Sequence, residues 1–201
     1  MVSFFIIALI FFFSIILHEC AHGWVAYRLG DPTAKEQGRL TLNPIKHVDF
    51  FGTIVLPLML VVIGSPIILG WAKPVPVNFS RLRNPKKDMM LVGLSGPMTN
   101  ICLAFILSII LKSNIFPFVS HVLQIGVVLN LVLAIFNLIP IPPLDGSRFV
   151  MGLLSARYAY YYAKLERYGI VIVFLLLYFG VLNRAVWPVV AQLSSYLGVQ
   201  I

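Results

Sequence analysis

Residues 89–111 run for 23 positions without a formal charge, which suits the ~30 Å apolar thickness of a bilayer. In water such a run would need a large polar shell around it. The chain cannot supply one: only 22 of its 201 residues are charged and 60% are hydrophobic, where soluble domains run at about 25% charged. It is therefore read as an α-helical polytopic membrane protein, with room for about four to six spans and for no large soluble domain. The net charge of +8 does not point to nucleic acid. Its basic residues lie between apolar runs, as topology signals do, and not in a patch with base-stacking aromatics. Cys20 and Cys102 both sit in apolar stretches, so neither a disulfide framework nor a Cys-rich metal cluster is expected.

Further apolar runs fill out the fold. The first, 2–17, lacks the basic lead and small-residue cleavage site of a signal peptide and continues as helix-compatible sequence to Arg28, so it is read as a retained span. With 89–111, 119–139 and a shorter 168–183 it makes four full spans. Residues 52–70 are apolar but broken by Pro57, Gly64, Ser65 and Pro66. Residues 185–201 are read either as an extra C-terminal helix or as an interfacial one. Two segments, 35–44 and 70–78, alternate in a strand-like way and are too polar for lipid, so small β-hairpin elements are expected there. The whole is taken as a single domain, 1–201, with a core of about 1–150 and C-terminal helices over 151–201.

The chemistry concentrates in HECAH, residues 18–22. At about 100° per residue, His18 and His22 lie about 40° apart on one helix face, so both imidazoles can bind one metal, with Glu19 beside them. Zinc is the metal such a pair most often serves. A chance HExxH is expected in roughly one in a thousand chains with 4 His and 3 Glu. Two His and a Glu inside a membrane helix are also costly unless they face a partner or cavity. Two imidazoles leave zinc one protein ligand short of the usual three. Asp145 is the sole carboxylate between Asp88 and Glu166 and follows a Pro140, Pro142, Pro143 run whose unpaired backbone must line a cavity or pack inside protein. Taken alone it could equally be a helix-ending Asp-Gly turn at the membrane surface. Beside HECAH, the ligand reading is preferred.

HECAH on a first span, SGPMTN at 95–100 opening a later one and NLIPIPPLDG at 137–146 closing another together resemble the site-2 protease family of intramembrane zinc metalloproteases. GWAKPVPVN at 70–78 is similar to a sequence of its small prokaryotic members, the type without a PDZ or CBS domain. The resemblance covers about residues 1–150. It implies one Zn2+ per chain held by His18, His22 and Asp145, Glu19 as catalytic base, and Asn137 as a polar group near the scissile carbonyl. The expected reaction is hydrolysis of a peptide bond in or near the transmembrane segment of a membrane-anchored protein, by zinc-activated water with Glu19 as general base and Asn137 as oxyanion donor. Residues 70–78 would offer an edge to an unwound substrate through Val75 and Val77, or be an ordinary hairpin cap. Asn100 is grouped with these substrate-binding candidates, with orientation of a ligand or a bridge between helices as its alternatives.

Metal geometry then tests the topology. If 52–70 crossed the bilayer, His18, some fifteen residues and ~22 Å into its helix, and Asp145 would lie at opposite faces. A shared zinc requires 52–70 to be a re-entrant segment. Basic residues agree: with the hairpin, thirteen lie on one face and only Lys112 and Arg184 on the other, against a nine-to-six split for a full crossing. The positive-inside rule then makes this a multi-pass protein of the plasma membrane with its active site toward the cytoplasm.

Other residues get plainer readings. Cys20 projects about 160° from His22 and is taken as packing. His47 is expected to make a loop hydrogen bond and His121 to sit at the interface. Gly93 and Gly96 are read as sites of close helix packing, and Tyr158 and Tyr160 to Tyr162 as an interfacial anchor. Two other function classes fit less well. A membrane zinc transporter needs staged polar sites through both leaflets, and a non-catalytic scaffold has no use for Glu19 beside two histidines.

Overall fold

A computed structural model describes residues 2–64, 70–115 and 117–200. Among the described residues, three helical stretches are each long and apolar enough to cross a membrane: Ile6–Arg28, Pro85–Ser113 and Pro117–Asn137. They belong to α1 (Val2–Arg28), α4 (Pro85–Ser113) and α5 (Ser120–Asn137), which pack against one another. Between α1 and α4 lie the short α2 (Thr33–Glu36) and α3 (Leu56–Val62). After α5 come α6 (Asp145–Leu153), α7 (Ala156–Lys164), α8 (Glu166–Tyr178) and α9 (Val181–Tyr196).

Local chemistry sets the ends of α4. Pro85 stands at its first turn, where a missing N–H costs nothing, and the Asp88 carboxylate accepts from the Asn84 N–H at 2.8 Å. Its far end is closed by Asn114 in the left-handed region, φ 52°.

The expected span over 168–183 is not one straight helix. α8 stops at Tyr178, Gly180 takes φ +68°, and the chain turns through 75° before the rest of α9. Thirteen residues of helix reach only ~20 Å, short of a ~30 Å core. The tail is helical as far as Tyr196. Val186 and Val190 of α9, with Val199 beyond it, join Ala104, Val127 and Leu131 in the main buried apolar cluster, so the tail packs onto α4 and α5.

The strand-like alternation is also corrected: among the described residues there is no strand. Lys35 and Glu36 fall in α2. Residues 70–78 lie outside helix and strand, with Pro74 and Pro76 favouring extended backbone at and before them and Asn78 itself extended, and their polar backbone is satisfied one group at a time. Lys73 N–H donates to His47 O at 2.9 Å, Val75 N–H to the Glu19 carboxylate at 2.8 Å and Asn78 N–H to the buried Asp31 carboxylate at 2.6 Å. The Arg39 guanidinium donates to Lys73 O at 2.7 Å and Pro74 O at 3.2 Å. Pro74 and Pro76 have no N–H to give, so the side of the chain they share cannot donate to a neighbouring strand.

Of the expected re-entrant segment, 52–64 and Gly70 are described, and its middle, 65–69, lies outside the described residues. A π-type turn, Phe50–Val55, leads into α3. The two ends of the segment meet: Trp71 N–H donates to Gly52 O at 3.1 Å and the Thr53 hydroxyl to Trp71 O at 2.8 Å. The Trp71 indole lies flat on Gly52, where any Cβ would collide with the ring.

A candidate metal centre and active site

His18 and His22 project from α1 toward the start of α6, which presents Asp145. The two Nε2 atoms are 3.0 Å apart, and Asp145 Oδ2 lies 3.0 Å from that of His18 and 3.3 Å from that of His22. The expected Asp-Gly turn takes a different form here: Asp145 opens a helix instead of ending one, which puts its carboxylate at a positive helix end.

The far side of each imidazole is occupied by an acceptor. His22 Nδ1 donates to Val92 O at 2.7 Å, and His18 Nδ1 faces Asn100 Oδ1 at 2.5 Å. Neutral rings that carry their protons on Nδ1 present bare lone pairs at Nε2. Two such lone pairs and a carboxylate oxygen, the histidines buried and the aspartate half-buried, all aimed at one point, repel one another unless a cation lies between them. Their spacing suits that cation: tetrahedral bonds of about 2.0–2.1 Å place ligand atoms about 3.3 Å apart. The donor set and its geometry therefore fit zinc. Among the described residues these three form the cluster able to hold a metal.

Room for the imidazoles comes from Gly96 on α4, where a Cβ would collide with the Nε2 atoms of both rings. Gly93 similarly admits Asp145 O and the Arg148 side chain of α6, at 2.9 and 2.8 Å from where a Cβ would stand. These are the close-packing roles read from the sequence.

Glu19 borders the same cavity of about 390 Å³, together with Val75, Val77, Asn137 and Arg148. One carboxylate oxygen of Glu19 is held by Val75 N–H, which leaves the other for a proton. Asn137 donates one amide hydrogen to Leu133 O at 2.9 Å and has a second to offer the cavity. Asn100, grouped with the substrate contacts by sequence, is fully buried instead, between His18 and Asn130. His47 makes the loop bond expected of it, to Thr41 O at 2.7 Å, and the Cys20 thiol donates to the same carbonyl at 3.1 Å.

Sequence reasoning missed four residues. Asp31 and Arg39 pin the extended segment that reaches Glu19, and Asn130 backs Asn100. Arg148 reaches the cavity while paired with Glu166 at 2.6 Å. Only Arg148 carried a signal, three residues after Asp145 and hence on the same face of α6.

Comparison with known proteins gives a consistent result. The profile of Peptidase family M50 matches residues 112–180, which include Asp145 but not HECAH. YwhC of Bacillus subtilis (strain 168), provisionally named a zinc metalloprotease, is 42% identical over 87% of this chain and 81% of its own. Rip2 of Mycolicibacterium smegmatis, named in the same provisional way, is 30% identical over 92% of this chain and 71% of its own. Zinc metalloprotease MJ0392 of Methanocaldococcus jannaschii is 25% identical over 97% of this chain and 48% of its own. No solved structure matches. A match of this extent to YwhC, on a chain whose HExxH and distant aspartate converge in space, places the protein in peptidase family M50, the site-2 protease family of membrane metalloproteases.

Proposed function

We propose that this chain hydrolyses a peptide bond in or near the transmembrane segment of a membrane-anchored protein, using one zinc ion held by His18, His22 and Asp145. The observation that carries the reading is the convergence of those three ligand atoms beside Glu19, in a cavity bordered by membrane-length helices. Zinc, when bound, supplies a Lewis acid that acidifies water and polarises a carbonyl. The protein does the rest. Glu19 takes the proton of the attacking water on its unengaged oxygen and returns it to the leaving amine. The second N–H of Asn137 faces the charge that develops on the carbonyl oxygen. Cleavage of a single-span test protein by the purified chain, with the cut located by product mass, tests this function.

Residues 70–78 are the proposed substrate edge, since an extended stretch already borders the cavity. Val75 N–H is engaged by Glu19, so substrate pairing would use other backbone groups of this stretch.

The topology proposed is four spans, the last formed by the bent α8 and α9 pair, and a re-entrant segment over 52–70 in the plasma membrane, with the zinc toward the cytoplasm. Contact between Gly52 and Trp71 supports entry and return at one face, as does the division of basic residues, thirteen on that face with only Lys112 opposite and Arg184 near the bend of the last span. Single cysteines at Lys46 and Lys73, both exposed, in a background without Cys20 and Cys102 should label only from the cytoplasm. Labelling of the two from opposite faces would overturn the topology.

A further inference from the structure

Two asparagines sit fully buried in the middle of membrane-length helices, Asn100 on α4 and Asn130 on α5. Primary amides there are costly unless each polar atom finds a partner. They form a directional chain. Asn130 Nδ2 donates to Gly126 O at 2.9 Å, Asn100 Nδ2 donates to Asn130 Oδ1 at 2.9 Å, and Asn100 Oδ1 faces His18 Nδ1 at 2.5 Å.

The direction follows from its far end. A backbone carbonyl only accepts, so the Asn130 atom facing Gly126 is nitrogen and the one facing Asn100 is oxygen. That oxygen needs a donor, which turns the Asn100 nitrogen toward it and the Asn100 oxygen toward His18. The proton of the His18 ring then sits on Nδ1, and the Nε2 lone pair is left for the metal. His22 reaches the same state in one step, through Val92 O. His18 needs two amides and two other helices.

We propose that Asn130 is a positioning residue of the zinc site: acting through Asn100, it fixes the tautomer and ring orientation of His18. The proposal rests on His18 being a metal ligand and extends that reading to a residue that touches neither metal nor substrate.

Zinc itself is the probe, with its dissociation constant measured by chelator competition on the purified full chain. Asn130→Leu keeps the branched shape with somewhat more volume, removes the acceptor and frees Asn100 to flip. Zinc should bind about 10–100-fold more weakly, the usual loss when a group behind a metal ligand is removed. In Asn130→Asp, burial keeps the carboxyl neutral, so O–H and C=O reproduce the donor and acceptor, and affinity should return toward the parent value. Leu131→Ala, which thins the core of the same helix, should lower the melting temperature and leave zinc affinity at the parent value. If Asn130→Leu does not fold, Asn130→Ser, whose hydroxyl ends short of Asn100, carries the same expectation as Asn130→Leu. Parent affinity in the folded Asn130 variant, or an equal loss in Leu131→Ala, would overturn the proposal. A parent chain that takes up no zinc would remove the metal reading and this inference with it, whereas a zinc-binding parent with an unaffected Asn130→Leu would sink this inference alone.

Discussion

Glu19→Gln should keep its zinc and lose cleavage by about 10²- to 10⁴-fold, the usual contribution of a positioned general base. Gln has the same reach as Glu, and its carbonyl can still accept from Val75 N–H, which donates to Glu19 at 2.8 Å. What it cannot do is carry a proton from water to the leaving amine. The metal ligands are other residues, so stoichiometry should not change. Val75→Pro gives the complementary result. It deletes the N–H that orients Glu19 and stiffens the extended segment, so cleavage should fall while zinc stays bound. Val77→Ala only trims a side chain at the cavity wall, and its effect should be modest. Wild-type cleavage by Glu19→Gln, measured as turnover of a single-span test protein, would remove Glu19 from the reaction.

His18→Ala and Asp145→Ala should each bring zinc well below one per chain and abolish proteolysis, as elemental analysis and the same turnover assay would show. His18 and His22 come from one turn of α1, but Asp145 lies 127 residues from His18 and meets it only when α6 docks on α4. The Asp145 variant therefore tests the tertiary arrangement as well as the chemistry. Two imidazoles alone leave zinc short of the usual three protein ligands. Full zinc occupancy in both variants would defeat the ligand assignment.

The grouping of His18, His22 and Asp145 was legible in the sequence because its signals survive without knowledge of the fold. His18 and His22 are tied by helical spacing, and Asp145 stood out as a lone carboxylate after a proline run. The three long helices were legible through hydropathy for a similar reason. Hydropathy sums over a window, however, and does not register the backbone turn at Gly180 that ends α8. Alternation at 70–78 marked an extended chain, yet it could not say that Asp31, Arg39 and Glu19 satisfy its backbone in place of a neighbouring strand. Asn130 left no sequence signal, since its link to His18 runs through a residue thirty positions away on another helix.

The central claim, that this fold places a zinc-dependent hydrolytic site within the membrane, is tested most directly by metal removal and return. Purified chain in bilayers would be mixed with a single-span test protein, stripped with a chelator, resupplied with zinc, and the products weighed by mass spectrometry. The account predicts that cleavage disappears on chelation, returns with about one zinc per chain, and leaves new termini in or beside the apolar segment. Cleavage that persists after chelation, or termini confined to the soluble part of the test protein, would contradict it.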